Sequence, residues 1–226
     1  MMMNKKIYVA CDVSNQKEIL ELLSKIHKEI SGIKIGLQYI TKHSPEDIKE
    51  LGKFNKPIFY DGKFFDIKNT LVESIKSLKN LRISYATVHL LNGLKALKAA
   101  NEAANDINIK LLGVSVLTSF DNNELDQLGF KDQVKEQVLR LTKIAVEANL
   151  YGIICSPLEI KMIKEIAPNL KCFTPGIRQD ENKDDQKRTM NAKQALEEGS
   201  DCLIIGRPIT KGDPKKNIQE ILSSLN

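Results

Sequence analysis

The chain has 226 residues and a formal net charge of +5; 42% of its residues are apolar, 5% are aromatic and tryptophan is absent. That apolar share supports a substantial core, while the scarcity of stacking side chains and the absence of a dense Lys/Arg block argue against nucleic acid as a partner. No uncharged apolar run is long enough to span a bilayer, and Met1 to Lys6 lead into an apolar run without a signal-peptide core, so a soluble cytoplasmic protein with no membrane partner is expected.

Short apolar runs alternate with longer amphipathic stretches. The first run, Ile7 to Cys11, precedes a helical pattern through Ile30. The second, Ile33 to Gly36, precedes a helix near Pro45 to Phe54, and the third, Pro57 to Asp61, a helix near Ile67 to Leu78. The fourth, Tyr85 to His89, is followed by an Ala-rich helix to about Asn105. Leu111 to Val116 forms the fifth run, with a short helix around Asp121 to Leu128 and a long one near Lys131 to Asn149. Gly152 to Cys155 is the sixth run, ahead of a helix starting near Pro157; Leu170 to Thr174 is the seventh, ahead of a polar loop and a helix near Thr189 to Gly199. Cys202 to Ile205 is the eighth, and a helix from about Pro214 closes the series.

Continuous apolar strands separated by amphipathic helices indicate a parallel sheet covered by helices. Eight such units predict a single-domain α/β chain, residues 1–226, folded as a (β/α)8 TIM barrel. An open doubly wound sheet is the alternative, but it would normally carry a Gly-rich phosphate turn after the first strand, and the chain there reads Cys11-Asp12-Val13-Ser14. The four cysteines, Cys11, Cys155, Cys172 and Cys202, form no CxxC pair and read as reduced core residues rather than as disulfides or zinc ligands.

Chemistry in such a barrel sits where strands end and loops begin. The first strand ends in Asp12; the second carries Lys34 between Ile33 and Ile35; the third carries Asp61 and Lys63, with Asp66 beyond it; the fourth ends in His89. A lysine in an apolar strand needs a counter-charge if it points inward. Residues two apart on a strand share a face, so Asp61 and Lys63 can both address the barrel mouth, with Lys34 on the adjacent strand. Two lysines and two aspartates in alternation, a network of Lys34, Asp61, Lys63 and Asp66, would hold each lysine charged and immobile, an arrangement suited to delivering a proton to a developing carbanion. Asp66 lies past the strand end and need not serve the same site in the same subunit. Local alternatives exist: Asp12 as turn chemistry, Asp66 as a helix cap, His89 as a satisfied core histidine. After the last strands, Gly206-Arg207-Pro208 offers a backbone N–H and a guanidinium fork for phosphate. The polar stretch from Gln179 to Arg188 reads as a mobile lid.

Together these residues resemble the orotidine 5'-monophosphate decarboxylase family. Its pattern Asp-x-Lys-x-x-Asp-Ile-x-Asn-Thr matches Asp61 through Thr70. The likeness extends to Ala10-Cys11-Asp12, Ile33-Lys34-Ile35-Gly36, Val88-His89, Val116-Leu117-Thr118-Ser119, Thr174-Pro175-Gly176-Ile177-Arg178, Asp185-Gln186-Lys187-Arg188 and Gly206-Arg207-Pro208-Ile209-Thr210. The resemblance implies decarboxylation of orotidine 5'-monophosphate to UMP in de novo pyrimidine synthesis, without metal or organic cofactor. By the same resemblance, Lys63 is the proton donor to C6 of the pyrimidine, Asp61 sits against the substrate carboxylate, Lys34 anchors the network and reaches the ribose, and Asp12 binds a ribose hydroxyl. Thr118 and Ser119 lie by the pyrimidine. Pro175 also belongs to the substrate site, with Arg178 at the base of the lid, while Gln186, Gly206 and Arg207 hold the phosphate. Asp66 and Thr70 are expected to act in trans, in the neighbouring subunit's site of a homodimer.

Three positions depart from the family pattern: Gly62 where Leu is common, Phe65 where His is common and Lys68 where Pro is common. They bear on strand-end geometry and the dimer rim. Related decarboxylases and aldolases that share Asp-x-Lys-x-x-Asp use magnesium and typically carry Glu at the position of Lys34; a lysine there repels a divalent cation.

Overall fold

A computed structural model describes residues 6–13, 15–178 and 188–225. Eight parallel strands close into a barrel in sequence order: β1 (Ile7–Ala10), β2 (Gly32–Gly36), β3 (Ile58–Phe64), β4 (Ile83–His89), β5 (Lys110–Val114), β6 (Gly152–Ile154), β7 (Lys171–Thr174) and β8 (Cys202–Ile205). The ring closes where β1 pairs with β8, with Tyr8 opposite Ile204.

The helices cover the outside. α1 (Gln16–Ile26) buries Ile19, Leu22, Leu23 and Ile26, the stripe that a 3.6-residue period produces, and Asn15 caps it by accepting the Lys17 N–H at 3.0 Å. Next come α2 (Leu37–Ile40), α3 (Pro45–Glu50), α4 (Lys68–Lys76), α5 (Leu94–Asp106), α6 (Asn122–Gln127) and α7 (Val134–Glu147). α8 (Ile160–Ile166), α9 (Ala192–Glu197), α10 (Arg207–Thr210) and α11 (Pro214–Ser224) complete the series. The short α2 and α10, each directly after a strand, are additions to the pattern expected from periodicity; four-residue helices are too short to register as a period.

Alternation along the strands divides the apolar residues between two cores. Ile7, Val9, Ile33, Ile35, Ile58 and Val88 face outward and pack under the helices. Tyr8, Phe59, Leu112, Phe173 and Ile204 point inward and fill the barrel, with Tyr85 and Tyr151 packed against them. The inner aromatics meet mostly edge to face: Tyr8 and Tyr85 have ring centroids 5.9 Å apart at 86°, and Tyr8 and Phe59 6.5 Å at 74°. This plug closes the lower part of the barrel, and the charged side chains gather above it at the C-terminal mouth. All four cysteines are buried and unbridged. Among the described residues, no helix is long and apolar enough to cross a membrane.

Strand β3 extends further than its apolar run, through Lys63 to Phe64. It pairs with β4 at Tyr60↔Ala86 and next at Phe64↔Val88, so three residues of β3, Asp61 to Lys63, lie opposite Thr87 alone. That bulge carries the left-handed backbone of Lys63, φ 47°. Gly62 sits between the stacked rings of Tyr60 and Phe64, whose centroids are 5.6 Å apart; a Cβ there would come 2.7 Å from Tyr60 Cε1. A leucine at this position would therefore have to displace the Tyr60 ring.

Candidate active site

Strand parity explains why Lys34 points inward. Its neighbours Ile33 and Ile35 both belong to the outer core, so Lys34 must enter the barrel. Ala10 lies opposite Lys34 and Gly36 opposite Asp61 in register. This brings side chains from the ends of β1, β2 and β3 together.

The result is a linear chain of charges. Asp12 Oδ1 accepts from Lys34 Nζ at 3.1 Å, Lys34 Nζ reaches Asp61 Oδ2 at 3.3 Å, and Lys63 Nζ donates to the same Asp61 oxygen at 2.9 Å. The other Asp61 oxygen accepts from the Thr87 hydroxyl at 3.0 Å. The side chains of Lys34 and Asp61 are 8% and 12% exposed, against 34% for Lys63 and 54% for Asp12, so the chain runs from a dry centre to two wetter ends.

Burial alone would push the Lys34 ammonium toward the neutral amine, but the carboxylates of Asp61 and Asp12 outweigh it and hold its pKa above the ordinary lysine value. Burial would likewise raise Asp61, yet Lys34 and Lys63 prevail and hold its carboxyl below the ordinary range. Both groups are therefore ionised at neutral pH. His89 is driven the other way, first by burial and then by the Lys63 charge, which keep it neutral. Its Nδ1 accepts the Leu91 N–H at 3.3 Å, and its ring lies 5.5 Å from that of Phe65. It does not line the cavity beside the charges.

That cavity, about 490 Å³, opens at the barrel mouth. Asp12, Lys34, Asp61 and Lys63 form one wall; Val114, Val116, Ile154 and Pro175, with Thr118, form an apolar wall opposite; Arg178, Gly206 and Arg207 lie at its edge. One side is thus charged, one apolar and one cationic. Among the described residues, no group of three or more His, Cys, Asp or Glu side chains could hold a metal ion.

The base of the loop between β7 and α9 is stitched together. Arg178 N–H donates to Met190 O at 3.0 Å and Met190 N–H to Gly176 O at 3.2 Å. Arg188 pairs with Glu159 and donates to the Leu117 carbonyl at 2.8 Å, next to Thr118. The lid expected over residues 179–188 falls, apart from Arg188, outside the described residues, as does Gln186.

Of the residues predicted from sequence, the cavity gathers Asp12, Lys34, Asp61, Lys63, Thr118, Pro175, Arg178, Gly206 and Arg207. It does not gather Ser119, Asp66 or Thr70. Ser119 sits one residue beyond Thr118, outside the lining. Asp66 is exposed at the rim, where its N–H donates to Asn92 Oδ1 at 3.0 Å and its carboxylate accepts the Ile67 N–H at 2.7 Å. Thr70 is exposed on α4. Within one chain the fourth charge of the alternating series is therefore Asp12, not Asp66. Two residues carry no such signal in the sequence: Gln38, on the unanticipated α2, lines the cavity, and Thr87 bonds Asp61. The one available pointer to Thr87 is its position two residues before His89, on the inward face.

Comparison with known proteins agrees with this geometry. The model of the "Orotidine 5'-phosphate decarboxylase / HUMPS family" matches residues 5–221. An orotidine 5'-phosphate decarboxylase of Wolbachia pipientis subsp. Culex pipiens is 38% identical over 221 residues, covering 97% of this chain and 98% of the relative. The enzyme of that name from Legionella pneumophila strain Lens is 39% identical over 228 residues, covering 99% and 98%. The crystal structure of orotidine 5'-phosphate decarboxylase from Lactobacillus acidophilus superposes with a TM-score of 0.86 at 33% identity, covering 99% of this chain and 100% of that one. With the barrel, the charged mouth and full-length similarity in agreement, the chain belongs to the orotidine 5'-phosphate decarboxylase / HUMPS family.

Proposed function

We propose that this chain converts orotidine 5'-monophosphate to UMP and carbon dioxide, without metal or organic cofactor, as a step of de novo pyrimidine synthesis in the cytoplasm. The observation that carries the proposal is the series Asp12–Lys34–Asp61–Lys63, with Lys34 and Asp61 buried at its centre, along one wall of a cavity with a cationic edge. The phosphate is assigned to Arg178, Gly206 and Arg207, together with Gln186; Asp12 and Lys34 take the ribose, and Thr118, Ser119 and Pro175 the pyrimidine side.

In this reading, the bond between C6 and the carboxylate carbon breaks and its electron pair stays on C6. No electron sink is available there, so stabilisation must come from charge already in place. The Lys63 ammonium supplies both that charge and the proton that becomes the C6 hydrogen, and its amine then recovers a proton from solvent. Asp61 faces the departing carboxylate and disfavours the bound ground state. Lys34, tied to Asp61, keeps that carboxylate ionised and oriented. A cation cannot easily join the series, because ammonium groups hold the places beside Asp61 that a metal would take.

The same proposal includes a homodimer in which Asp66 and Thr70 serve the partner subunit's site. Phe65, Ile67, Leu91 and Leu37 are 63%, 74%, 42% and 51% exposed at the ends of β2, β3 and β4, the rim that also carries Asp66. Large exposed apolar side chains gathered this way favour burial against a second chain.

Loss of substrate absorbance in excess EDTA tests the activity directly. Steady turnover is expected; no turnover, or turnover restored only by magnesium, would refute the assignment.

A further inference from the structure

Thr87 stands opposite the bulge in β3 by itself. A bulge leaves a strand's backbone groups without ladder partners, and here the Lys63 N–H is satisfied by a side chain instead: it donates to Thr87 Oγ1 at 2.8 Å. The same hydroxyl donates to Asp61 Oδ1 at 3.0 Å. A backbone N–H can only donate and an ionised carboxylate can only accept, so the hydroxyl's one hydrogen must go to Asp61 while a lone pair receives Lys63. Thr87 is fully buried, and its β-branched side chain is confined at χ1. A hydroxyl sealed in a barrel is costly unless bonded; valine would fill the same space without that requirement.

We propose that Thr87 is a positioning residue that sets both halves of the proton-delivery pair. Through the Lys63 N–H it holds a left-handed turn, φ 47°, that a side-chain-bearing residue adopts reluctantly. Through Asp61 Oδ1 it fixes the carboxylate plane, leaving Oδ2 to face Lys34 at 3.3 Å and Lys63 at 2.9 Å. Without the hydroxyl the carboxylate can rotate and the turn can relax, and either movement re-aims the Lys63 ammonium. The substrate's phosphate grip lies on other loops and is untouched. This inference rests on the reading of Lys63 as proton donor, so its test carries a readout independent of turnover.

The experiment compares Thr87→Val and Thr87→Ser with the parent chain, by steady-state kinetics and by amide hydrogen exchange at Lys63. For Thr87→Val, kcat should fall roughly 10- to 150-fold, the range of one hydrogen bond to a charged group, with KM unchanged or lower, because the phosphate contacts are intact and a rotated Asp61 presses less on the bound ground state. Thr87→Ser, which keeps the hydroxyl, should recover most of kcat. The Lys63 amide should exchange faster in the valine variant and at the parent rate in the serine variant. Should the valine variant not fold, Thr87→Cys, with a weak donor and acceptor, should give an intermediate loss of kcat. Parent-like kcat in the valine or cysteine variant, equal losses in valine and serine variants, or unchanged Lys63 exchange would overturn the proposal. If the parent chain itself fails to decarboxylate orotidine 5'-monophosphate, the functional assignment falls, and the exchange rates still decide the role of Thr87.

Discussion

Replacing Lys34 with methionine keeps a long unbranched side chain and removes only the charge that bridges Asp12 and Asp61. Two ion pairs disappear, one of 3.1 Å to Asp12 and one of 3.3 Å to Asp61. Asp12 is half exposed and water can take over its partner's role, so that pair contributes little. Asp61 is different, because its side chain is 12% exposed and it stays buried with Lys63 and Thr87 as remaining partners. Breaking a buried pair costs about 3–5 kcal/mol, and the two surviving partners place this loss near the lower end, about 3 kcal/mol. At about 2–4 °C per kcal/mol for a chain of this size, the midpoint of thermal unfolding should drop by about 6–12 °C. Scanning calorimetry at neutral pH reads that shift. Adding Asp61→Asn in the same chain should recover much of it, because the orphaned charge disappears, and the double-mutant cycle should show coupling of about 1 kcal/mol or more. A Lys34→Met chain melting within about 2 °C of the parent, or strictly additive losses, would refute the reasoning that Lys34 is the network's structural counter-charge.

Three further outcomes are expected. Gly36→Ala would put a Cβ 2.8 Å from Asp12 Oδ1 and 3.1 Å from Lys34 Nζ; the displaced carboxylate should raise KM for orotidine 5'-monophosphate by about tenfold, one hydrogen bond's worth, and an unchanged KM would contradict the placement of Asp12. Mixing inactive Lys63→Ala and Asp66→Ala chains one to one should restore about a quarter of parental activity, since half the dimers are mixed and each holds one intact site; heterodimers without activity would exclude action in trans. In a pH series of unfolding midpoints, Asp61, whose pKa is lowered, contributes stability fully above the ordinary Asp value of about 3.9 and loses it as pH falls through its depressed native value. Lys34, whose pKa is raised, contributes fully below about 10.4 and loses its part as pH rises through the elevated native value. In Lys34→Met, the alkaline limb should flatten while an acid limb remains.

The barrel was legible in the chain because its signals are local. Eight apolar runs spaced by amphipathic stretches need no knowledge of neighbours, and the charges at Asp12, Lys34, Asp61 and Lys63 stand out against the strands that carry them. The sequence left open whether Lys34 points inward, and the structure settles it, since Ile33 and Ile35 occupy the helix-facing side. Gly206 and Arg207, which line the cavity, were equally readable, as they follow the eighth strand directly.

Pairing decided the rest. Which carboxylate flanks Lys34 within one chain depends on Ala10 lying opposite Lys34, a register set between two strands more than twenty residues apart, and it brings in Asp12, which the sequence alone left outside the lysine–aspartate series. By hydrophobicity alone the third strand ends at Asp61; it continues through a bulge because β4 offers Val88 as the next partner for Phe64. Thr87 has no local mark of importance, being one more β-branched residue in a strand, until that bulge turns the Lys63 N–H toward its hydroxyl. Side-chain chemistry and periodicity are written residue by residue. Register, bulges and the partners they create arise only when distant segments compete for the same hydrogen bonds and the same space.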